Sequence, residues 1–163
     1  METLKSLLHK IDILLPQDTS ITEEKSDVVH DFLAFLAEQM MELNRQKQQE
    51  VKGFLVWLEG YLGVKIEALT SRNKLTTYYE TDWDEFLEIL KKNNHKIPAA
   101  DITRKQPTAK IQAEFEASRS KLNPIFERIR LTDTLIDQIV YKLYQLTDEE
   151  IRTVEESITP TYP

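Results

Sequence analysis

Six basic residues crowd into twenty positions of this chain. Lys91, Lys92, Lys96, Arg104, Lys105 and Lys110 lie in the stretch KKNNHKIPAADITRKQPTAK, residues 91–110, with Asp101 as its one acid. Six cations less one acid give the window +5, so the rest of a chain of net charge −7 sums to −12. A lysine or arginine displaces condensed counterions from a nucleic-acid backbone, which gives affinity without base readout. Lys91, Lys92, Lys96, Arg104 and Lys105 are therefore the candidate DNA contacts. The bland alternative is an ordinary solvated surface, which also explains Arg72 and Lys74.

Other residue types capable of chemistry have simpler readings. His9, His30 and His95 are scattered, and no second histidine stands near His30 in sequence as a metal site would need. Trp57, Trp83, Tyr78 and Tyr79 could stack bases, but aromatics at helical spacing belong more often to a core. Pro16, Asp18, Glu23 and Lys25 loosely echo the P-D…E-x-K pattern of nucleases, which places metal-binding carboxylates on adjacent strands; here they flank a helix cap. Asn123-Pro124-Ile125-Phe126 resembles the N-P-P-aromatic motif of amino-group DNA methyltransferases, in which the aromatic stacks on a flipped base. The second proline is missing, and a helix break accounts for the rest. Spacing alone identifies no nucleophile–base pair, catalytic residue, metal ligand or cofactor site.

The elements that must position these residues read as helices. Leu4, Leu7, Leu8, Ile11 and Leu15 give a short helix within residues 1–16, ended by Pro16. Ser20 and Glu23 fit a capping box. Val29, Phe32, Leu36, Met40, Leu43, Lys47, Val51, Phe54, Leu58 and Leu62 then recur at steps of three and four, with only Lys47 breaking the apolar seam. The polar middle NRQKQQE contains no breaker, so one helix is expected from about residue 24 to 62, roughly 55 Å long. Gly53 is its weak point and Gly63 its left-handed cap.

Residues 64–80 suggest a helical turn at 66–69 and a short extended piece near 75–79. Thr81 or Asp82 caps the next helix, WDEFLEILKKN, and residues 94–107 form a loop. From Thr108, the positions Ile111, Phe115, Leu122, Phe126 and Ile129 suggest another helix, with a break or kink at Asn123–Pro124. Thr132 is read as capping a fresh helix that carries Leu135, Ile136, Ile139, Val140, Leu143 and Tyr144. Thr147 and Glu150 make a second capping box, and residues 158–163 should fray.

Composition sets bounds. There are 163 residues, 40% hydrophobic and 30% charged, which suits one globular domain with a real core. Three glycines leave little room for phosphate-cradling loops or hairpins. No cysteine is present, which suits a reducing cytoplasm. No apolar run is long enough for a membrane span, and the start lacks a signal-peptide cleavage pattern. The expected fold class is all-α: one long helix packed by four to six shorter ones in a single domain, residues 1–163.

One block carries a family resemblance. TDTLIDQIVYKLYQLTDEEIRTVEES, from Thr132 to Ser157, resembles the C-terminal segment of bifunctional restriction–modification proteins with an adenine-specific DNA methyltransferase. VVHDFLAFLAEQMMELNRQKQQEVKGFLVWLEGYLGVKIEAL, residues 28–69, and FLEILKKNNHKI resemble the helical region before that close, so the resemblance covers roughly residues 20–157. The matching positions are Asp133, Ile136, Asp137, Val140, Tyr141, Leu143, Tyr144, Leu146, Thr147, Glu150 and Ile151; none is catalytic by that resemblance. Gln145 stands where the family has glycine. The resemblance implies a non-catalytic helical module that supports target recognition, without a cofactor of its own. Its implied partners are the remainder of a methyltransferase or restriction polypeptide or subunit, and duplex DNA. The alternative is a protein–protein interaction or homodimerisation module without DNA contact.

Overall fold

The computed structural model describes residues 23–158, with side chains from 28 to 157. The expected helix at 1–16, the Ser20–Glu23 box and the tail beyond Ile158 lie outside the described residues.

Five α-helices are present among the described residues: α1 (Glu23–Leu62), α2 (Arg72–Thr76), α3 (Trp83–Lys92), α4 (Lys105–Leu143) and α5 (Asp148–Ile158). Single 3₁₀ turns at Ile66–Ala68, Tyr78–Glu80 and Asn94–Lys96 join them. The fold is all-α, and the long helix runs unbroken through the polar stretch 44–50 as its periodicity requires. The contacts divide into two compact units: Leu43–Glu127 is one, and the other draws on residues within Met1–Glu42 and Arg128–Pro163.

The Leu43–Glu127 unit holds the larger core. Phe54, Leu58 and Leu62 of α1 meet Leu75, Tyr78, Phe86 and Leu90, and from α4 Ile111, Phe115 and Leu122. Aromatic rings sit at its centre: Phe54 and Tyr78 are 4.2 Å apart between centroids, Phe86 and Phe115 4.9 Å. The Tyr78 hydroxyl shares a 2.6 Å hydrogen bond with Ser118 Oγ, and burial pushes that phenol up to about 12. The interruption at Lys47 also has a cause. Its ammonium lies 5.3 Å from the Tyr79 ring centroid and 5.2 Å from that of Phe126, so a cation is accommodated at a seam position by two π-faces.

The expected extended piece at 75–79 is helical instead. Leu75 and Tyr78 are both fully buried, and their spacing of three puts both on one side of a turn, where a strand would place them on opposite faces.

Helix α4 corrects a second expectation. It runs 39 residues with Pro124 inside it, so neither Asn123 nor Thr132 starts a new helix. An interior proline removes one backbone hydrogen bond and costs about 3 kcal/mol. The apolar register continues in phase on both sides, with Ile111, Phe115 and Leu122 buried before it and Leu135 and Ile139 after it. Each such burial is worth about 1.5–3 kcal/mol, so together they outweigh the proline.

In the other unit, Val29 and Leu36 of α1 pack with Leu135 and Ile139 of α4. Helix α4 closes in a Schellman arrangement: Leu146 N–H donates to Tyr141 O at 3.0 Å and Gln145 N–H to Lys142 O at 3.1 Å. Gln145 must therefore adopt φ 53°, the strained cap its lack of glycine implies. Gln145→Gly is expected to raise stability by about 1 kcal/mol, read as a shift of the urea midpoint at constant m-value. The Thr147–Glu150 box forms as expected, Thr147 N–H donating to Glu150 Oε2 at 2.8 Å.

An acid is misplaced in the same unit. Desolvation by its neighbours raises the carboxyl of solvent-exposed Asp137 above its ordinary range, and Asp133 and Glu155 add repulsion. A folded-state pKa above the unfolded one destabilises the fold once the group ionises, so the penalty is present at neutral pH and fades as pH falls below the unfolded value. Asp137→Asn is expected to raise Tm at pH 7 by about 1 °C, from a few tenths of a kcal/mol for a like-charge pair one turn apart. Melts near pH 3 should show no such difference.

Candidate phosphate-contacting site

The basic residues of the 91–105 segment stand on three consecutive pieces of structure. Lys91 and Lys92 close α3, Lys96 ends the 3₁₀ turn, Arg104 immediately precedes α4, and Lys105 is its first residue. All five side chains are exposed. Asp82 caps α3 by accepting from Glu85 N–H at 2.8 Å, with acids in the first turn and lysines in the last, as the helix dipole favours.

What holds the segment in shape is mostly uncharged. Ile97 and Ile102 are anchored in the core. Ala99 N–H donates to Leu62 O at 3.2 Å, which ties the loop to the end of α1. Asn94 bridges its two arms: Oδ1 accepts from Ile102 N–H at 2.8 Å, and Nδ2 donates to Asp101 Oδ1 at 3.4 Å. Asp101 in turn accepts from Thr103 Oγ1 at 2.6 Å and Thr103 N–H at 3.1 Å. The Thr103 hydroxyl, then its amide, then Asn94 and Arg104 hold that carboxylate below its ordinary range, so it stays ionised at neutral pH.

Behind the loop, fully buried Asn93 caps α3. Its Oδ1 accepts from Thr70 N–H at 2.8 Å and Thr70 Oγ1 at 3.0 Å, while Nδ2 donates to Ile89 O at 2.9 Å and Thr70 O at 3.2 Å. Counting charges along the sequence does not reveal Asn93 and Asn94. Their signal there is slight: two adjacent asparagines directly after a helix, where such side chains satisfy local backbone groups.

The cations are only lightly engaged. Lys91 pairs with Glu88 at 3.0 Å and Arg104 with Asp101 at 3.1 Å, both in solvent. Exposed pairs of this kind contribute about 0–1 kcal/mol, so either cation can be redirected to another anion at little cost. Lys96 Nζ donates to Ala68 O at 3.2 Å. Lys110 stands apart from the five, its ammonium 5.0 Å from the Tyr61 ring centroid. Helix α4 also opens with no acid in its first turn, so its positive end is reinforced by Arg104 and Lys105 instead of balanced.

The other sequence candidates do not join this group. Tyr78 is fully buried, and Trp57, Trp83 and Tyr79 pack in or against the aromatic core. Lys74 pairs with Glu85, and His30 is exposed. Asn123 to Phe126 lies in the body of α4, far in sequence from either helix end. Pro16 and Asp18 lie outside the described residues. Among the described residues, no three His, Asp or Glu side chains gather as a metal ion would require, and no buried side-chain nitrogen or oxygen lacks a hydrogen-bond partner.

Comparison with known proteins adds one match. No curated protein and no solved structure matches this chain. Residues 26–140 match the model of a family described as a domain of unknown function, DUF8810. That span runs from the start of α1 through the clamped basic loop to Val140 of α4. It takes in well over half of the 163 residues, and the chain therefore belongs to the DUF8810 family.

Proposed function

We propose that this chain is a non-catalytic helical module of a DNA restriction–modification methyltransferase, working in the cytoplasm. It supports target recognition and touches duplex phosphates through Lys91, Lys92, Lys96, Arg104 and Lys105. The observation that carries this reading is the clamped 91–105 segment, which holds five cations on a chain that is otherwise acidic. Such a site positions DNA and reads no bases, so sequence choice would belong to the remainder of the enzyme. The Thr132–Ser157 block supplies the link to that enzyme class.

Fluorescence anisotropy with a labelled duplex tests the contact. Affinity should fall with salt, by a logarithmic slope of about −0.9 per phosphate engaged. Reversing all five charges to glutamate should abolish that binding. Equal weak affinity before and after reversal would remove the phosphate role.

A second reading has an observation of its own. Val28, Phe35 and Met41 of α1 are 46%, 51% and 66% exposed, unusual for residues of this size and apolarity. A homodimer or a protein partner covering them needs no DNA. Light scattering that gives twice the chain mass, reversed by Phe35→Glu, supports the dimer; a monomer at high concentration argues against it.

A further inference from the structure

A second stretch of chain is fastened to the basic segment and carries donors that the chain itself does not use. Thr70 N–H and Oγ1 donate to Asn93 Oδ1 at 2.8 and 3.0 Å, and Asn93 Nδ2 donates back to Thr70 O at 3.2 Å. Lys96 Nζ donates to Ala68 O at 3.2 Å. Asn93 directly follows Lys92, so residues 68–70 are bonded to the segment at two points among its cations. Arg72 comes two residues after Thr70. Its Cα therefore lies within about 7.6 Å of the Thr70 Cα.

The residues that follow this tie are unspent. Ser71 enters α2 at φ 58° and ψ 34°, a left-handed conformation that burdens any residue with a β-carbon, and its hydroxyl caps nothing. Ser71, Arg72 and Asn73 are all exposed, and among the described residues no hydrogen bond or ion pair engages any of the three side chains. Their neighbours differ: Lys65 pairs with Glu59, and Lys74 with Glu85. Glu67 is the one acid between residues 65 and 74, and its field acts on Lys65. Arg72 is thus the cation of this stretch that no carboxylate of the chain has claimed.

We propose, on the basis of the phosphate reading above, that Arg72 is a sixth DNA contact and that Ser71–Asn73 engages a phosphate other than those met by residues 91–105. Arginine presents a planar fork of donors that matches a phosphate, and serine and asparagine side chains donate to the same oxygens. Cations on one loop alone would let a duplex pivot. Contacts from two tied segments fix its orientation, which a module that supports target recognition must supply.

The test is fluorescence anisotropy of the full chain with a labelled duplex across a salt series. Arg72→Gln should weaken binding at low salt and make the logarithmic salt slope shallower by about 0.9, one phosphate's worth. Arg72→Lys should restore the slope and only part of the affinity, because an ammonium keeps the charge without the fork. Lys52→Gln makes the same charge change on the exposed side of α1 and should leave the slope as it is in the parent. Circular dichroism melts of all three variants should match the parent, since these exposed side chains hold nothing in place. A parent that needs the five cations of residues 91–105 but keeps its slope in Arg72→Gln overturns the sixth contact and leaves the phosphate reading standing. Equal slope changes in Arg72→Gln and Lys52→Gln overturn it too, because only diffuse charge would then be at work. A parent without salt-dependent binding overturns both.

Discussion

Replacing Asn93 with leucine is expected to cost about 3 kcal/mol, although the two side chains have similar volume. Asn93 is fully buried, and its carboxamide makes four hydrogen bonds at 2.8–3.2 Å, three of them with Thr70. Leucine would leave the Thr70 amide and carbonyl and the Ile89 carbonyl without that partner. Each stranded group costs about 1–3 kcal/mol, partly recovered because Thr70 itself reaches solvent. Urea unfolding should show a lower midpoint at unchanged m-value. A change below about 1 kcal/mol would mean that the polar tie does not hold residues 65–71 to α3. The same substitution removes no charge, yet it loosens the helix end that carries Lys91 and Lys92. A drop in duplex affinity without loss of any cation is therefore expected under the phosphate reading.

The second large effect is Gly63→Ala, and it is best read beside Gly53→Ala. Gly63 ends α1 at φ +70°, where a β-carbon would stand 2.9 Å from Ala99 Cβ and 3.3 Å from Pro98 Cγ. The left-handed conformation alone costs alanine about 1–2 kcal/mol. Displacing the 98–99 backbone adds about 1–3 kcal/mol more. Gly53 lies inside α1, and a β-carbon there would meet nothing within 4 Å, so alanine should gain about 0.5–1 kcal/mol. Two chemically identical substitutions ten residues apart should thus shift the melting temperature in opposite directions. Equal signs would mean that the Gly63 turn is not the close approach described here.

Much of the fold is legible from spacing, because burial along a helix leaves a period of three and four. The α1 seam needs nothing else, and the Thr147–Glu150 box and the Asp82 cap follow from local hydrogen-bond chemistry. Pro124 misleads because the cost of an interior proline is local, whereas the compensation comes from Leu122, Leu135 and Ile139 finding partners distant in sequence. Residues 75–79 mislead because Thr76 and Thr77 favour extended backbone, while the decisive pair, Leu75 and Tyr78, is spaced for a helical turn. The candidate site is half legible. Its cations can be counted in the sequence, but Asn94 acts on Ile102 N–H eight residues on, and no local rule names that partner.

The most direct test of the functional account is an amide NMR titration of the full chain with a short duplex at low salt. The account predicts shift changes concentrated in residues 91–105, strongest at Lys92, Lys96 and Lys105, and suppressed as salt rises. Shift changes absent from that segment, or insensitive to salt, would contradict it.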